Sequence, residues 1–151
     1  MIELVKKSGY PGMKILQFAF DSREESDYLP HNYTHNCVVY TGTHDNDTVM
    51  GWYDTLKGAD KKLCDDYLRL KNADGEQIPR EQIPWEFVRA AMSSVADMAI
   101  IPMQDYLGLG SEARINIPST LGINWKWRMG NGDFTKELAG RIRSMTKLYG
   151  R

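Results

Sequence analysis

The chain has 151 residues, enough for one domain with a buried core, and its 42% hydrophobic and 26% charged residues are ordinary for a globular chain. A net charge of −1 with no basic stripe argues against a nucleic-acid partner, and no apolar run approaches the roughly 18–20 residues that cross a membrane. Cys37 and Cys64 follow no metal spacing, and residues 1–10 lack the long apolar stretch of a secretory leader, so free thiols in a reducing cytoplasm are expected.

Residues 13–20 (MKILQFAF) form a short, nearly continuous apolar run after the turn signal Gly9-Tyr10-Pro11-Gly12. Such a run predicts a strand buried on both faces. Residues 21–36 are polar, contain Pro30 and read as a loop. A second strand is predicted over residues 37–41 (CVVYT), between Asn36 and Gly42. Asp47 or Thr48 can cap a short helix through Leu56. A further helix is predicted over residues 60–71, with Leu63, Tyr67, Leu68 and Leu70 on its apolar face. After a polar connection, Pro84 suits the first turn of a helix that continues to about Val95.

Residues 98–103 (MAIIPM) give a third strand, which Pro102 ends. Residues 104–110 read as a loop or helical turn, and residues 111–127 as irregular. Phe134, Leu138, Ile142, Met145 and Leu148 are spaced as the apolar stripe of a last helix over residues 133–149. Strands alternating with helices predict an α/β fold with a parallel sheet, whose chemistry lies beyond the C-terminal strand ends. Asp21 follows the first strand, His44 and Asp45 the second, and Gln104 and Asp105 the third.

His44-Asp45-Asn46-Asp47 therefore sits on a tight turn leaving a buried strand. A carboxylate held there by neighbouring donors can stabilise positive charge that develops during a reaction. The same string also suits an Asx-rich turn with a helix cap, and both roles can coexist, Asp45 reactive and Asp47 structural. His31 and His35 have a spacing seen in metal sites on helices, with Asp45 and Asp47 as further donors, but Pro30 argues against a helix and surface histidines are the favoured reading. Residues 108–118 pair Gly108 and Gly110 with Glu112, Arg114 and Asn116, suited to hydroxyl recognition or to an internal Arg114–Glu112 tie. These glycines make no dinucleotide or phosphate-loop fingerprint. Trp125 and Trp127 alternate on an extended segment, where packing beneath the last helix is favoured over stacking on sugar.

Four motifs in order resemble the 4-α-glucanotransferases, the amylomaltase and disproportionating-enzyme group of glycoside hydrolase family 77. They are residues 11–20 (PGMKILQFAF), residues 40–48 (YTGTHDNDT) with Gly51-Trp52-Tyr53, residues 104–116 (QDYLGLGSEARIN) and residues 124–128 (NWKWR). The resemblance covers nearly the whole chain apart from roughly residues 56–83. It implies an α-amylase-like (β/α)8 barrel, of which this chain would be one C-terminal domain piece with about three strand–helix units. It implies transfer of an α-1,4-glucan segment to another sugar's 4-hydroxyl, with retention through a covalent glycosyl-enzyme. The expected partners are α-1,4-glucans and maltooligosaccharides, with no cofactor and no catalytic metal.

The family uses an Asp nucleophile, a Glu acid/base and a second Asp that stabilises the transition state. Its His-Asp-Asn-Asp motif maps that second Asp to Asp45 and a hydroxyl ligand to His44. Asn116 resembles a residue that contacts glucan near the cleavage point, and Asp21 corresponds to a glucan-contacting position. No stretch resembles the Arg-Ile-Asp-His motif of the nucleophile or the Ala-Glu-Asp motif of the acid/base. A retaining mechanism needs both, so the chain alone is expected to be inactive; the alternative readings are a non-catalytic carbohydrate-binding piece and, less favoured, a metal-dependent hydrolase built on His31, His35, His44 and Asp45. A full barrel takes about 250 residues, so exposed barrel edges are expected to drive self-association or a rearrangement of the helices over the open edge.

Overall fold

The computed structural model describes Leu4 and residues 7–151; the N-terminal stretch inspected for a leader lies partly outside these. Three parallel strands, β1 (Gly12–Ile15), β2 (Cys37–Tyr40) and β3 (Met98–Ile100), form one sheet in that order. Among the described residues they are accompanied by the helices α1 (Val49–Thr55), α2 (Gly58–Leu68), α3 (Ile83–Met92), α4 (Met103–Leu107) and α5 (Lys136–Leu148). The fold is α/β, as the alternating pattern predicts.

Both outer strands are shorter than their apolar runs. After Ile15 the chain tightens into a 3-10 turn, Leu16–Phe18, and Gln17 leaves the ladder. Its backbone N–H still donates to Thr41 O at 3.3 Å. Its side chain turns inward and is buried. The link from β1 to β2 contains a second 3-10 turn, Pro30–Asn32, and no α-helix among the described residues. It crosses as a loop anchored by buried Phe20, Leu29 and Tyr33.

Helix α3 is the central packing element. Pro84 sits in its first turn, where a missing N–H costs nothing. Its face is buried nearly throughout, and α1, α2, α4 and α5 all pack on it. Phe87, fully buried, lies edge-on to Phe20, Trp52 and Tyr53 with ring centroids 5.8–6.4 Å away. On α2, buried Asp65 accepts a 2.6 Å hydrogen bond from the Tyr53 hydroxyl and faces Lys61 and Lys71 at 3.5 and 3.8 Å. The buried carboxylate is thereby paired, as burial of a charge requires.

The last helix starts later than its apolar stripe suggests. Thr135 caps it, accepting from Leu138 N at 3.1 Å, so Phe134 lies before the helix and is exposed. Leu138, Ile142 and Met145 pack on Trp85, Val88 and Met92, while Leu148 points to solvent. The Arg141 guanidinium lies 3.7 Å from the centre of the Trp85 ring, adding a cation–π contact to this seam.

The two sheet faces differ. Val39 and Cys37 point into the helical core and are fully buried. On the opposite face Met13, Val38 and Met98 are in register, followed by Ile15, Tyr40 and Ile100. Met13 is 58% exposed, Met98 53% and Ile100 41%, while Ile15 is buried, so this apolar face is only partly covered by the described residues. That explains why the strands read as buried on both faces although one face is partly open here.

One buried carboxylate fixes how β2 leads into α1. Asp105, on α4 just past β3, is 2% exposed. Its Oδ2 accepts from the Thr41 hydroxyl at 2.5 Å and its Oδ1 from the Val49 N–H at 2.8 Å. Burial pushes its pKa up to about 6; the two hydrogen bonds oppose that, and the nearby Asp47 charge adds to it. The folded chain thus holds this proton more tightly than the unfolded chain. The group's stability contribution is full below its ordinary value of 3.8 and is lost as pH rises through about 6.

Asp105→Ala strands the Thr41 hydroxyl and the Val49 N–H, with an expected loss of about 2–4 kcal/mol in urea unfolding. Asp105→Asn keeps the shape and an acceptor for Val49, so it should lose less. The stability difference between the wild type and Asp105→Asn should change with pH between about 4 and 6. A difference that stays flat across that window excludes Asp105 as the titrating group.

Candidate functional site

The site is built on the loop that leaves β2. Residues 41–48 turn sharply because Asn46 bonds back to Thr43. The Asn46 Oδ1 accepts from the Thr43 N–H at 3.0 Å and from its hydroxyl at 2.8 Å, and the Asn46 N–H donates to Thr43 O at 3.1 Å. The Thr43 hydroxyl also accepts from the Asp45 N–H at 3.3 Å. This Asx-type turn needs only local residues, which is why it was readable in the string itself. It turns the His44 and Asp45 side chains outward, each about half exposed.

The two aspartates of the motif are divided as the turn chemistry allows. Thr48 is the cap of α1, accepting from Gly51 N at 3.1 Å. Asp47 serves as a brace. Its Oδ1 accepts from the Thr48 N–H at 2.8 Å, its Oδ2 from the Ser111 hydroxyl at 2.6 Å, and its carbonyl from Gln17 Nε2 at 2.8 Å. Gly51 permits this close approach, since a Cβ there would collide with Ser111 Oγ and the Asp47 carboxylate.

Asp45 stands at the front of the loop. Its Oδ1 accepts from Asn116 Nδ2 at 2.6 Å and lies 3.3 Å from His44 Nε2. Its Oδ2 receives no hydrogen bond from the described residues. Behind it, Arg114 Nη2 donates to the Asp45 carbonyl at 2.7 Å, while Arg114 Nε donates to the Asn116 carbonyl at 2.9 Å. One guanidinium thus spaces the carboxylate from its amide partner. Of the two readings of residues 108–118, the Arg114–Glu112 tie is not formed; Glu112 instead accepts from the Gly110 N–H at 2.9 Å, and Arg114 bonds the β2 loop.

Trp125 reaches this cluster too. Its ring lies against His44, with centroids 5.1 Å apart and planes tilted by 38°. It is 56% exposed, so the expected packing beneath the last helix is not found for this residue. The segment after Ile117 folds back on itself, placing Trp125 at the site mouth.

The structure gathers His44, Asp45 and Asn116, and sets Asp21 apart. Asp21 accepts from Arg23 Nε at 2.8 Å, Nη2 at 2.6 Å and backbone N at 3.0 Å. The hydrogen bonds from the Arg23 side chain and backbone hold its carboxyl down at about 2, ahead of the guanidinium's charge. His31 pairs with the Tyr67 hydroxyl at 3.0 Å in the 3-10 turn Pro30–Asn32. His35 contributes its carbonyl, which accepts from Cys37 N and Asp97 N. The described residues contain no convergent group of three or more His, Cys, Asp or Glu side chains that can hold a metal. The metal set built on His31, His35, His44 and Asp45 therefore does not assemble.

Arg114 and Trp125 were each weighed for sugar recognition, but neither was joined to the His44–Asp45 cluster. Arg114 carried a weak signal, lying two residues before Asn116. For Trp125 the exposed aromatic character was visible, but the fold-back that delivers it to His44 was not.

A family model described as 4-alpha-glucanotransferase matches residues 1–133. The 4-alpha-glucanotransferase of Clostridium butyricum is 49% identical over 151 residues, covering 99% of this chain and 30% of its own length. That of Thermus thermophilus is 45% identical, covering 92% and 28%. The chloroplastic and amyloplastic enzyme of Arabidopsis thaliana is 46% identical, covering all of this chain and 26% of its own length. Among solved structures, an amylomaltase from Streptococcus agalactiae in complex with acarbose superposes with a TM-score of 0.88 at 36% identity, over 99% of this chain and 29% of that one. An amylomaltase from Corynebacterium glutamicum shares the fold at 11% identity and a TM-score of 0.68, over 95% and 26%. The chain thus spans between a quarter and a third of the length of these relatives. With the match running over most of its residues, the chain belongs to the 4-alpha-glucanotransferase family.

Proposed function

We propose that the chain carries part of the active centre of a 4-α-glucanotransferase, acting on α-1,4-glucans and maltooligosaccharides. Asp45 is the carboxylate that steadies the oxocarbenium-like transition state. His44 and Asn116 are glucan contacts beside it, and Asp21 is an outlying contact. The carrying observation is the state of the Asp45 carboxylate: half exposed, fixed through Oδ1 by Asn116, with Oδ2 unengaged by the described residues. A negative group held in place before reaction stabilises developing positive charge without reorganising at that moment. The acarbose complex of the Streptococcus agalactiae amylomaltase supports a glucan-like ligand. Residues 1–151 are proposed as one partial domain, the C-terminal strand–helix units of a catalytic barrel. A cytoplasmic setting is proposed from the two buried, unbridged thiols Cys37 and Cys64.

Within the 151 residues no stretch resembles the nucleophile or acid/base motif of the family. Two carboxyl groups about 5–5.5 Å apart are required for retention, so this chain alone should not transfer glucans. Incubation of the purified chain with maltotriose should leave it unchanged; appearance of glucose with longer maltooligosaccharides would refute that. Calorimetric titration with maltopentaose should show saturable binding, weakened about tenfold by Asn116→Ala through loss of a hydrogen bond at a charged group. Absence of binding by the wild type would remove the glucan reading of this site.

We further propose that the open sheet face draws chains together. Met13, Met98 and Ile100 are exposed apolar residues of the sheet, and β1 and β3 are its edge strands among the described residues. Light scattering should show a mass that grows with concentration, and the double variant Met98→Lys, Ile100→Lys should reduce it. A monomer of constant mass across the range refutes the proposal.

A further inference from the structure

Trp125 is placed at the site by several independent restraints. Its backbone is left-handed, with φ at 64°, a region that bulky residues rarely occupy. Its N–H donates to Ile115 O at 2.7 Å, and its carbonyl accepts from Arg128 Nη1 at 3.0 Å. The neighbouring Asn124 ties the loop base, accepting from Ile117 N at 3.0 Å and donating to Thr120 O at 3.0 Å. The outcome is an indole that leaves more than half of its surface to solvent while resting on His44. Backbone strain kept at a site mouth needs such over-determination. An exposed indole is not explained by core packing, since α5 is packed through Trp85 instead.

His44 neighbours both Trp125 and Asp45. A sugar that bonds to His44 and Asp45 therefore has the indole within reach. Pyranose rings present an apolar C–H face and a polar hydroxyl rim. An aromatic plane beside a hydrogen-bonding row matches that division of surface.

We propose that Trp125 is a stacking platform for a glucosyl unit of the bound glucan, contributing affinity through its exposed ring. The assignment rests on the glucan-binding reading of the Asp45 cluster. It is tested on the 151-residue chain by calorimetry with maltopentaose and, in parallel, by tryptophan fluorescence. Trp125→Ala should weaken binding about tenfold, whereas Trp125→Phe, which keeps a π face, should stay within about threefold of the wild type. The fluorescence change on binding should vanish in Trp125→Phe although calorimetric binding persists. Loss of a merely structural side chain does not produce that separation, because Trp52, Trp85 and Trp127 remain as emitters. Wild-type affinity in Trp125→Ala, equal loss in both variants, or an unchanged fluorescence response in Trp125→Phe each overturns the platform while leaving the Asp45 reading intact. No binding by the wild type overturns both.

Discussion

A buried carboxylate requires donors, and Asp105 finds both of its donors at the two ends of the same loop. Thr41 closes β2 and Val49 opens α1, so the segment that carries His44 and Asp45 begins and ends on one side chain. That side chain belongs to the next strand–helix unit, on α4. The β2 loop therefore takes its shape from its neighbour. Desolvation makes the arrangement costly if either donor is lost, and that cost confines the chain to one geometry. The packing of α1 and α4 on α3 fixes the distance across which Asp105 must reach.

Three further ties hold the loop from outside, each from a different segment. Gln17 from the β1 end bonds the Asp47 carbonyl, Ser111 bonds the Asp47 carboxylate, and Arg114 bonds the Asp45 carbonyl. Backbone and bracing groups are thus satisfied by protein, while the foremost carboxylate keeps one oxygen clear of the described residues. A rigid support of this kind is what the role proposed for Asp45 demands, because small displacements are costly for chemistry.

The order of strands and helices was legible because apolar runs and turn residues act locally. The same holds for the Asx-rich turn and for a cap at Asp47 or Thr48, of which Thr48 serves, with partners three residues away. Strand ends were less legible. Gln17 leaves β1 to reach Asp47, 30 residues on, and nothing near Gln17 signals that pull. Asn116 was singled out, but its bond to Asp45 joins residues 71 apart. For Arg114 the nearby Glu112 was one of two readings, since sequence proximity is silent about a loop from another strand. Trp125 was expected in the core because its left-handed backbone has no side-chain signature in a non-glycine residue. Long-range contacts and unusual φ values are the features that local pattern does not encode.

Cys37 and Cys64 give the molecule two internal reporters of its own opening. Cys37 begins β2 and is 1% exposed; Cys64 lies on α2 and is fully buried. Burial also pushes both thiols up, away from the reactive thiolate. An alkylating reagent can therefore reach either sulfur only when its surroundings part. Because one thiol marks the sheet and the other a helix, their separate labelling rates resolve whether sheet and helical layer come apart together or in sequence.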